Sequence, residues 1–346
     1  MNIVEQFLAN YKSQSTRHTY KCFLNRFFKE IGVDPDNYFH EKRDYEADVR
    51  NFWLGFDNNA PPKTIYTALT AIRTFLSEYE IELPSKFWRH IHNRTKGNRA
   101  VTIDKVPSLI DLKKILTYAD IRVKAFYLAL LSSGMRIGEL CKIKLGDIDF
   151  NGNPTKVNIR AQYTKSGNNR ITFFSSEATK AVNEWLLERE KYLNVACKRA
   201  KVFQQYHKRT QEKPLDDKRL FPFTPSTIRY SWNRLLERAD LDSTDEQTKY
   251  HTYHVHVLRK FFRTYMSLII PYDIVEALLG HEGYLTTCYR RYSEEQLGQF
   301  YLKGEPNILV FETQVSLDIE KILSDPDKAQ QLAIRLLPFM KEILHK

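Results

Sequence analysis

Apolar residues in the first part of the chain recur at the spacing of amphipathic helices. Phe23, Phe27 and Phe28 would share one helical face, and Pro61-Pro62 marks a break before a second apolar stripe. That stripe comprises Tyr66, Leu69, Ile72, Phe75 and Leu76. We interpret both stripes as core positions, and the pattern predicts an all-helical domain over residues 1–90.

After residue 104 the pattern predicts helices interrupted by one hairpin. A helix is expected from Pro107 to Leu116, and a strongly apolar helix begins near Val123 and ends at Gly134. Residues on either side of Lys165-Ser-Gly-Asn alternate β-branched and aromatic side chains, which is typical of a β-hairpin. Helices resume at Ser176 and are predicted again, after a charged stretch, over 224–239 and 257–302. The expected fold is mostly α with a small antiparallel β-sheet.

Two segments lie outside these predicted domains. The polar, basic stretch from Trp88 to Arg99 has few apolar anchors, so we predict an interdomain linker at residues 91–104. Its charge is either only solvated or used to follow a phosphate backbone. In the second case the DNA-binding side chains would be Lys86, Arg89, Arg94, Lys96 and Arg99.

The C-terminal tail, residues 306–346, carries apolar side chains at helical spacing. The spacing predicts one or two amphipathic helices, whose apolar faces need a surface to cover them. That surface would belong either to the same domain or to a neighbouring protomer.

The composition and net charge indicate what class of partner the protein binds. The 346 residues carry a formal net charge of +11, and 42% hydrophobic with 13% aromatic content indicates folded structure. Cationic side chains set against phosphates release counterions, so double-stranded DNA or another nucleic acid is the first expectation and an anionic membrane the second. The chain has no uncharged apolar run of about 18 residues and no signal-peptide pattern, so we expect a cytoplasmic protein without a membrane partner.

The four cysteines are scattered without a CxxC pair, which favours ordinary reduced thiols over a disulfide framework. His251, His254 and His256 lie close together, yet no carboxylate or cysteine completes a zinc-binding spacing. We therefore predict no metal and no cofactor.

Several polar residues could carry chemistry, although each alone has an ordinary structural explanation. Arg136 follows the apolar helix and could reach an anion, or could only pair with Glu139. Lys165, at the predicted hairpin tip, is either an inert surface lysine or a proton donor. His256 and Arg259 are three residues apart, which places them on one helical face.

Further along, Gly280 ends a helix and His281 follows it, while Tyr289 and Tyr292 lie eight and eleven residues beyond that histidine. In a chain with 20 tyrosines, a tyrosine at either position is weak evidence by itself. The ordered set is more informative.

Arg136, Lys165, His256-Val-Leu-Arg259, Gly280-His281 and Tyr289 together closely resemble the signature of the tyrosine recombinase (phage integrase) family. The flanking sequences Gly-Met-Arg-Ile-Gly-Glu-Leu, Lys-Ser-Gly-Asn-Asn-Arg and Leu-Leu-Gly-His are similar to the family's motifs as well. The similarity covers roughly residues 105–300, and a weaker one begins at Ser15. It implies a helical N-terminal core-binding domain and an α+β catalytic domain over residues 105–305.

The sequence departs from the family at the tyrosine. The family commonly places its nucleophile at the position that is Arg290 here. Aligning Ser293-Glu-Glu-Gln-Leu with the segment after the nucleophile in relatives favours Tyr289, with Tyr292 as the alternative.

The resemblance implies a mechanism in which Tyr289 attacks the scissile phosphate. A 3′-phosphotyrosyl intermediate and a free 5′-hydroxyl result, and strands are rejoined without ATP or a metal ion. Arg136 and Arg259 would clamp the phosphate, because each guanidinium offers a planar fork of permanent donors. Lys165 would protonate the leaving oxygen.

Three further residues complete the predicted site. His256 would act as a base or as a phosphate ligand, His281 would hydrogen-bond the phosphate, and Glu139 would orient Arg136 or a histidine. In the family four protomers work on two DNA duplexes, so the implied partners are DNA and further copies of this chain, monomeric or dimeric when free. Two other functions remain open: a topoisomerase IB-like relaxation of DNA, and a DNA-binding protein without catalysis.

Overall fold

The computed structural model describes residues 2–40, 42–57, 60–95, 97, 105–206, 214–245, 251–281, 292–311, 325, 326 and 330, without side chains at 203–206. The chain packs into two compact units, one mainly from residues 1–103 and the other mainly from residues 104–346. Within these described segments, no helix combines the length and the apolar character needed to cross a membrane.

The first unit is helical. Phe27, Phe28, Ile72 and Phe75 are buried in its core, as the two apolar stripes predict, whereas Phe23 is only half-buried. Its helices are α1 (Ile3–Ala9), α2 (Gln14–Ile31), α3 (Tyr45–Leu54), α4 (Pro62–Glu78) and α5 (Ser85–Arg94), with a short 3-10 turn at Pro35–Asn37.

Helix α5 occupies the start of the predicted linker, and here the structure differs from the expectation. Phe87 and Ile91 are buried on one face and Trp88 packs against the same core, which is enough to hold a helix whose other positions are charged or polar. Thr95 follows the helix, and its hydroxyl accepts a hydrogen bond from Trp53 Nε1 at 3.0 Å. The basic segment is therefore part of the first unit up to Thr95.

The second unit contains the helices and the sheet predicted from the hydrophobic pattern. Its elements are α6 (Leu109–Thr117), α7 (Ile121–Ser133), α8 (Ile137–Leu140), β1 (Ile148–Asp149), β2 (Thr155–Ile159), β3 (Arg170–Phe174), α9 (Ser176–Tyr206), α10 (Pro225–Arg238), α11 (Val257–Met266), α12 (Tyr272–Leu279) and α13 (Glu294–Gly304), with 3-10 turns at Leu145–Asp147, Ala161–Tyr163 and Glu305–Ile308.

The sheet is antiparallel and has the order β1-β2-β3. Thr155 pairs with Phe174 and Ile159 with Arg170, which confirms the predicted hairpin. Strand β1 was not expected, because two residues are too short to show a period. Mostly helical structure with one small antiparallel sheet is thus the fold class that the sequence predicts.

Helix α7 lies at the centre of this unit. Every residue from Ala125 to Ser133 is buried, which explains why its sequence is apolar on all sides. Helix α9 packs along α7 and continues to Tyr206, into the charged stretch that precedes α10. Cys197 and Ala200 extend its buried face into the charged segment.

The first residues of the predicted tail also belong to this core. Leu309 and Val310 are buried, and Glu177 accepts hydrogen bonds from the backbone of Val310 at 2.8 Å and of Phe311 at 2.9 Å. The second unit therefore extends beyond residue 305. Residues 312–324, 327–329 and 331–346 lie outside the described part of the chain.

Gly134 ends α7 in the left-handed conformation, with φ of 61°. A Cβ atom at this position would lie 2.6 Å from Phe262 Cδ1 and 2.8 Å from Leu279 Cδ2. Both the backbone and the packing of α11 and α12 therefore require glycine here.

We expect Gly134→Ala to lower the free energy of unfolding by about 2–5 kcal/mol, the sum of left-handed strain and overpacking. Gly146→Ala is the control: Gly146 is exposed, its φ is not in the left-handed region, and no atom lies within 4 Å of an added Cβ. The control should change stability by less than about 0.5 kcal/mol. Urea denaturation of both variants checks this, and equal losses would contradict it.

Candidate active site

Arg136 stands at the N-terminus of α8, two residues after the glycine that ends α7. Its Nη1 donates to Glu139 Oε1 at 3.0 Å, and its backbone N–H donates to Glu139 Oε2 at 2.8 Å. These two bonds to one carboxylate fix the turn after α7, while 36% of the Arg136 side chain remains exposed. The guanidinium is thus anchored through Nη1 and still partly open to solvent.

Glu139 is buried, and a second arginine reaches it from β3. Arg170 donates through Nη2 to Oε2 at 2.6 Å and through Nη1 to Oε1 at 3.2 Å, and both side chains are almost fully buried. Burial alone would raise the pKa of Glu139, but the hydrogen bonds and charge of Arg170, followed by those of Arg136, outweigh it and hold that pKa below its ordinary value. Glu139 is therefore a carboxylate shared by two arginines.

Arg259 is buried on α11 and lies between the ends of two other helices. Its Nη1 donates to the carbonyl of Gly134 at 2.5 Å, and its Nη2 donates to the carbonyl of Leu279 at 2.7 Å. Those carbonyls carry the negative partial charge of the C-termini of α7 and α12, which stabilises a buried cation. Burial, together with the charges of Arg136 and Arg170, lowers the pKa of Arg259 to about 9, so the group is still cationic at neutral pH.

His281 follows α12 after a left-handed glycine, Gly280, with φ of 70°. A Cβ on Gly280 would lie 2.5 Å from Cδ of Arg170, so glycine lets that arginine pass beneath the turn. The imidazole Nε2 is 2.9 Å from Arg259 Nη2, and Nδ1 is 2.5 Å from Glu276 Oε2. The histidine is therefore held on both sides.

An open pocket lies where these elements meet. It is lined by Arg136, Lys165, Ser166, Gly280 and His281. Lys165 is exposed in the β2–β3 loop, whose shape is held by hydrogen bonds of Thr164 Oγ1 with the carbonyl of Ala161 and the N–H of Gly167. The structure thus brings three of the predicted site residues, Arg136, Lys165 and His281, to one pocket, with Arg259 against His281.

Other predicted residues are placed differently. His256 is exposed at the start of α11, outside the lining of the pocket, and its ring stacks on His254 at 6.3 Å. Tyr292 is half-buried and packs edge-on against Phe300 at 5.6 Å. Tyr289, the predicted nucleophile, lies outside the described residues.

Of the predicted DNA-binding residues, three lie within the described part of the chain and two outside it. Lys86, Arg89 and Arg94 are exposed on α5 of the first unit. Lys96 and Arg99 lie outside the described residues. In the parts of the chain that the structure describes, no group of three or more His, Cys, Asp or Glu side chains is arranged to hold a metal ion.

Arg170 and Glu276 were not singled out in the sequence, although both touch the predicted site residues. Arg170 is the one charged residue of a fully buried β-strand, and Glu276 is the one carboxylate among the apolar residues that follow Asp273 in α12. A charged residue inside an apolar element is the signal that could have identified each, because such a residue needs a buried partner.

Residues 99–297 match the model of the phage integrase family. The chain is 23% identical over 298 residues to a tyrosine recombinase of Thermosipho africanus, with 83% of this chain and 92% of that protein covered. It is 26% identical over 319 residues to a probable integrase/recombinase of Acholeplasma phage L2, covering 88% and 95%. A solved lambda integrase tetramer bound to a Holliday junction shares the fold, with a TM-score of 0.54 at 13% identity, covering 81% of this chain and 76% of that one.

We expect Glu139→Gln to lower the free energy of unfolding at pH 7 by about 3–5 kcal/mol, because it leaves Arg170 buried without its counter-charge. The pKa of Glu139 is lower in the folded than in the unfolded chain, so its contribution is complete above the ordinary value of 4.5 and is lost as the pH falls through the folded value. The difference between variant and wild type should therefore shrink in acid.

Glu237→Gln is the matched control, because Glu237 forms an exposed pair with Arg234 at 3.4 Å. Its loss should stay below about 1 kcal/mol. Urea denaturation from pH 7 to pH 3.5 measures both variants. A Glu139→Gln loss that is small, or that does not change with pH, would show that the buried carboxylate does not stabilise the site.

Proposed function

Because the chain belongs to the phage integrase family of tyrosine recombinases, we propose that it cuts and rejoins DNA at specific sites through a 3′-phosphotyrosyl intermediate. The observation that carries this proposal is the single pocket lined by Arg136, Lys165 and His281, with Arg259 in contact with His281. Three nitrogen-bearing side chains around one open space, with a fourth directly behind one of them, suit a phosphodiester, whose negative charge concentrates on the nonbridging oxygens during displacement.

Arg136 and Arg259 are proposed to bind those nonbridging oxygens. Arg136 is anchored by Glu139 and partly exposed, so its guanidinium can meet a phosphate without losing its orientation. Arg259 is buried against helix C-termini and is therefore positioned before any ligand arrives. Such preorganised cations supply the charge stabilisation for which other nucleases use a metal ion.

Tyr289 is proposed as the nucleophile and Tyr292 as the alternative. The packing of Tyr292 against Phe300 supports this order, because an aromatic ring held in the core has to leave that contact before it can attack a phosphate. His256 is proposed as the base for the phenol or as a further phosphate ligand, and its exposed position leaves it accessible to DNA.

Lys165 is proposed to give a proton to the leaving 5′-oxygen. It shares the pocket with Arg136 and His281, so its ammonium group lies beside the residues proposed to bind the phosphate. The reaction conserves the phosphodiester bond energy in the tyrosyl linkage, so no ATP is needed for religation.

Recognition of DNA is proposed to involve both units. The first unit would be the core-binding domain and the second unit the catalytic domain, with Lys86, Arg89 and Arg94 of α5 against phosphates and Lys96 and Arg99, which come after α5 in the sequence, following them. A tetramer on two duplexes is proposed from the lambda integrase tetramer bound to a Holliday junction. The apolar tail, 306–346, would dock on its own or a neighbouring protomer.

A suicide DNA substrate carrying the cognate site tests the proposal directly. We expect wild type to form a denaturation-resistant protein–DNA adduct, insensitive to EDTA, and Tyr289→Phe to form none. Tyr292→Phe is the matched control and should retain the adduct. An adduct that forms with Tyr289→Phe but not with Tyr292→Phe would show that Tyr292 is the nucleophile. If wild type forms no adduct on its site, the proposed strand-cleaving activity is contradicted.

A topoisomerase-like activity gives the same adduct but differs in its products. Relaxation of a supercoiled plasmid without exchange between two site-bearing duplexes would favour it over recombination. Binding to the site without adduct formation would support the alternative of a DNA-binding protein without catalysis.

The role of Lys165 is tested with a substrate whose leaving 5′-oxygen is replaced by sulfur. We expect Lys165→Ala to slow adduct formation by roughly 10²- to 10⁴-fold on ordinary DNA, the usual contribution of a general acid. On the sulfur substrate the defect should largely disappear, because a thiolate leaves without a proton. Lys142→Ala, an exposed lysine of the same unit, is the control. An equal defect on both substrates would assign Lys165 to phosphate binding instead.

A further inference from the structure

Both ring nitrogens of His281 have partners, and the two partners differ in what they can do. Arg259 Nη2 lies 2.9 Å from Nε2, and Glu276 Oε2 lies 2.5 Å from Nδ1. A guanidinium has donors only and no acceptor. In the neutral ring Nε2 must therefore accept from Arg259, and the single ring N–H must be on Nδ1, where it donates to the carboxylate.

We propose that Glu276 is the positioning residue that fixes this tautomer of the neutral His281 ring and stabilises the imidazolium form in which the ring can bind the scissile phosphate. The inference rests on the proposed function for its role in catalysis. It concerns a residue whose side chain does not line the pocket and acts only through the histidine.

The carboxylate of Glu276 is itself held in one orientation. Its side chain is only 6% exposed, and its other oxygen, Oε1, accepts from Arg263 Nε at 2.6 Å. Arg263 is steadied in turn by Tyr272, whose ring centroid lies 5.1 Å from the guanidinium. Oε1 is thus occupied by a cation, and Oε2 is left to face the imidazole.

This arrangement has a consequence for phosphate binding. A neutral ring with its proton on Nδ1 presents a lone pair at Nε2, which cannot donate to a phosphate oxygen. When a phosphate displaces the contact with Arg259, Nε2 must gain a proton from solvent, and the ring becomes an imidazolium that donates at both nitrogens.

The charged groups around the ring have opposing effects on that protonation. Glu276 on α12 favours it, while Arg259 on α11, Arg136 on α8 and Lys165 in the β2–β3 loop oppose it. An entering phosphate offsets the three cations. Proton uptake by His281 is therefore coupled to phosphate binding, and the carboxylate of Glu276 stabilises the charged ring.

Glu276→Gln removes this arrangement without changing the shape of the side chain. Arg263 can donate only to the amide oxygen, so the amide NH₂ turns toward Nδ1 and requires that nitrogen to accept. The ring proton then moves to Nε2, where it faces the donor Nη2 of Arg259. The variant is expected to reverse the tautomer or to release His281 from its place.

Nitrogen-15 NMR of the histidine-labelled full chain, at a pH where the ring is neutral, measures the tautomer directly. His281→Asn identifies the signals. We expect the proton on Nδ1 in wild type and on Nε2, or exchanging between the two, in Glu276→Gln. Glu305→Gln is the matched control: it also replaces a buried glutamate, which caps α9 through Ser176, and should leave the His281 signals unchanged. A wild-type proton on Nε2, or the same tautomer in wild type and Glu276→Gln, overturns the inference.

The functional arm uses the adduct assay across pH. Glu276→Gln should form adduct roughly 10- to 100-fold more slowly than wild type, as is usual when the partner that orients a site histidine is removed. Its pH profile should be flatter than that of wild type, because a neutral ring with its proton on Nε2 can donate to the phosphate without taking up a second proton. If wild type forms adduct and Glu276→Gln matches it in rate and pH profile, the inference fails while the proposed function stands. If no adduct forms in wild type while its proton is on Nδ1, the proposed function fails and the tautomer assignment stands.

Discussion

The arrangement of the pocket depends on one buried carboxylate, that of Glu139. It accepts from Arg136 at the start of α8 and from Arg170 at the start of β3, and so ties the turn after α7 to the sheet. Arg170 continues to the carbonyl of Leu278 at 3.2 Å, which brings the end of α12 into the same network. Without the carboxylate, two guanidinium groups would repel each other in a medium where charges are poorly screened. One anion therefore holds three elements together around the open space.

A pocket that binds phosphate through cations has to keep them together before the phosphate arrives. The structure solves this with anions that do not line the pocket. Glu139 serves Arg136 and Arg170, and Glu276 serves Arg263 and His281. The guanidinium of Arg259 donates instead to backbone carbonyls at two helix ends. Because the compensating groups lie behind the cations, the open face of Arg136 and Lys165 remains positive toward a ligand.

Much of the fold follows from hydrophobic period, and the exceptions have a physical cause. Helix α7 and the β2–β3 hairpin were predictable because their apolar residues repeat over many positions, whereas α5 was missed because Phe87, Trp88 and Ile91 are the few apolar residues of an otherwise polar helix. The grouping of Arg136 with Lys165 was predictable only from resemblance to a family, since 29 residues separate them in the sequence. The pairing of Glu139 with Arg170 depends on how β3 packs against α8, which no local pattern encodes.

The two left-handed glycines explain why these groups can approach so closely. Gly134 lets Phe262 and Leu279 press against the end of α7, and its own carbonyl then faces Arg259. Gly280 leaves room for Arg170, so the turn that leads to His281 can pass close to the arginine that binds Glu139. Each glycine thus sets the position of a cation through backbone that a side chain would displace. Lys165, by contrast, lies on an exposed loop outside this framework, which suits its proposed role as proton donor to the leaving oxygen of a bound substrate.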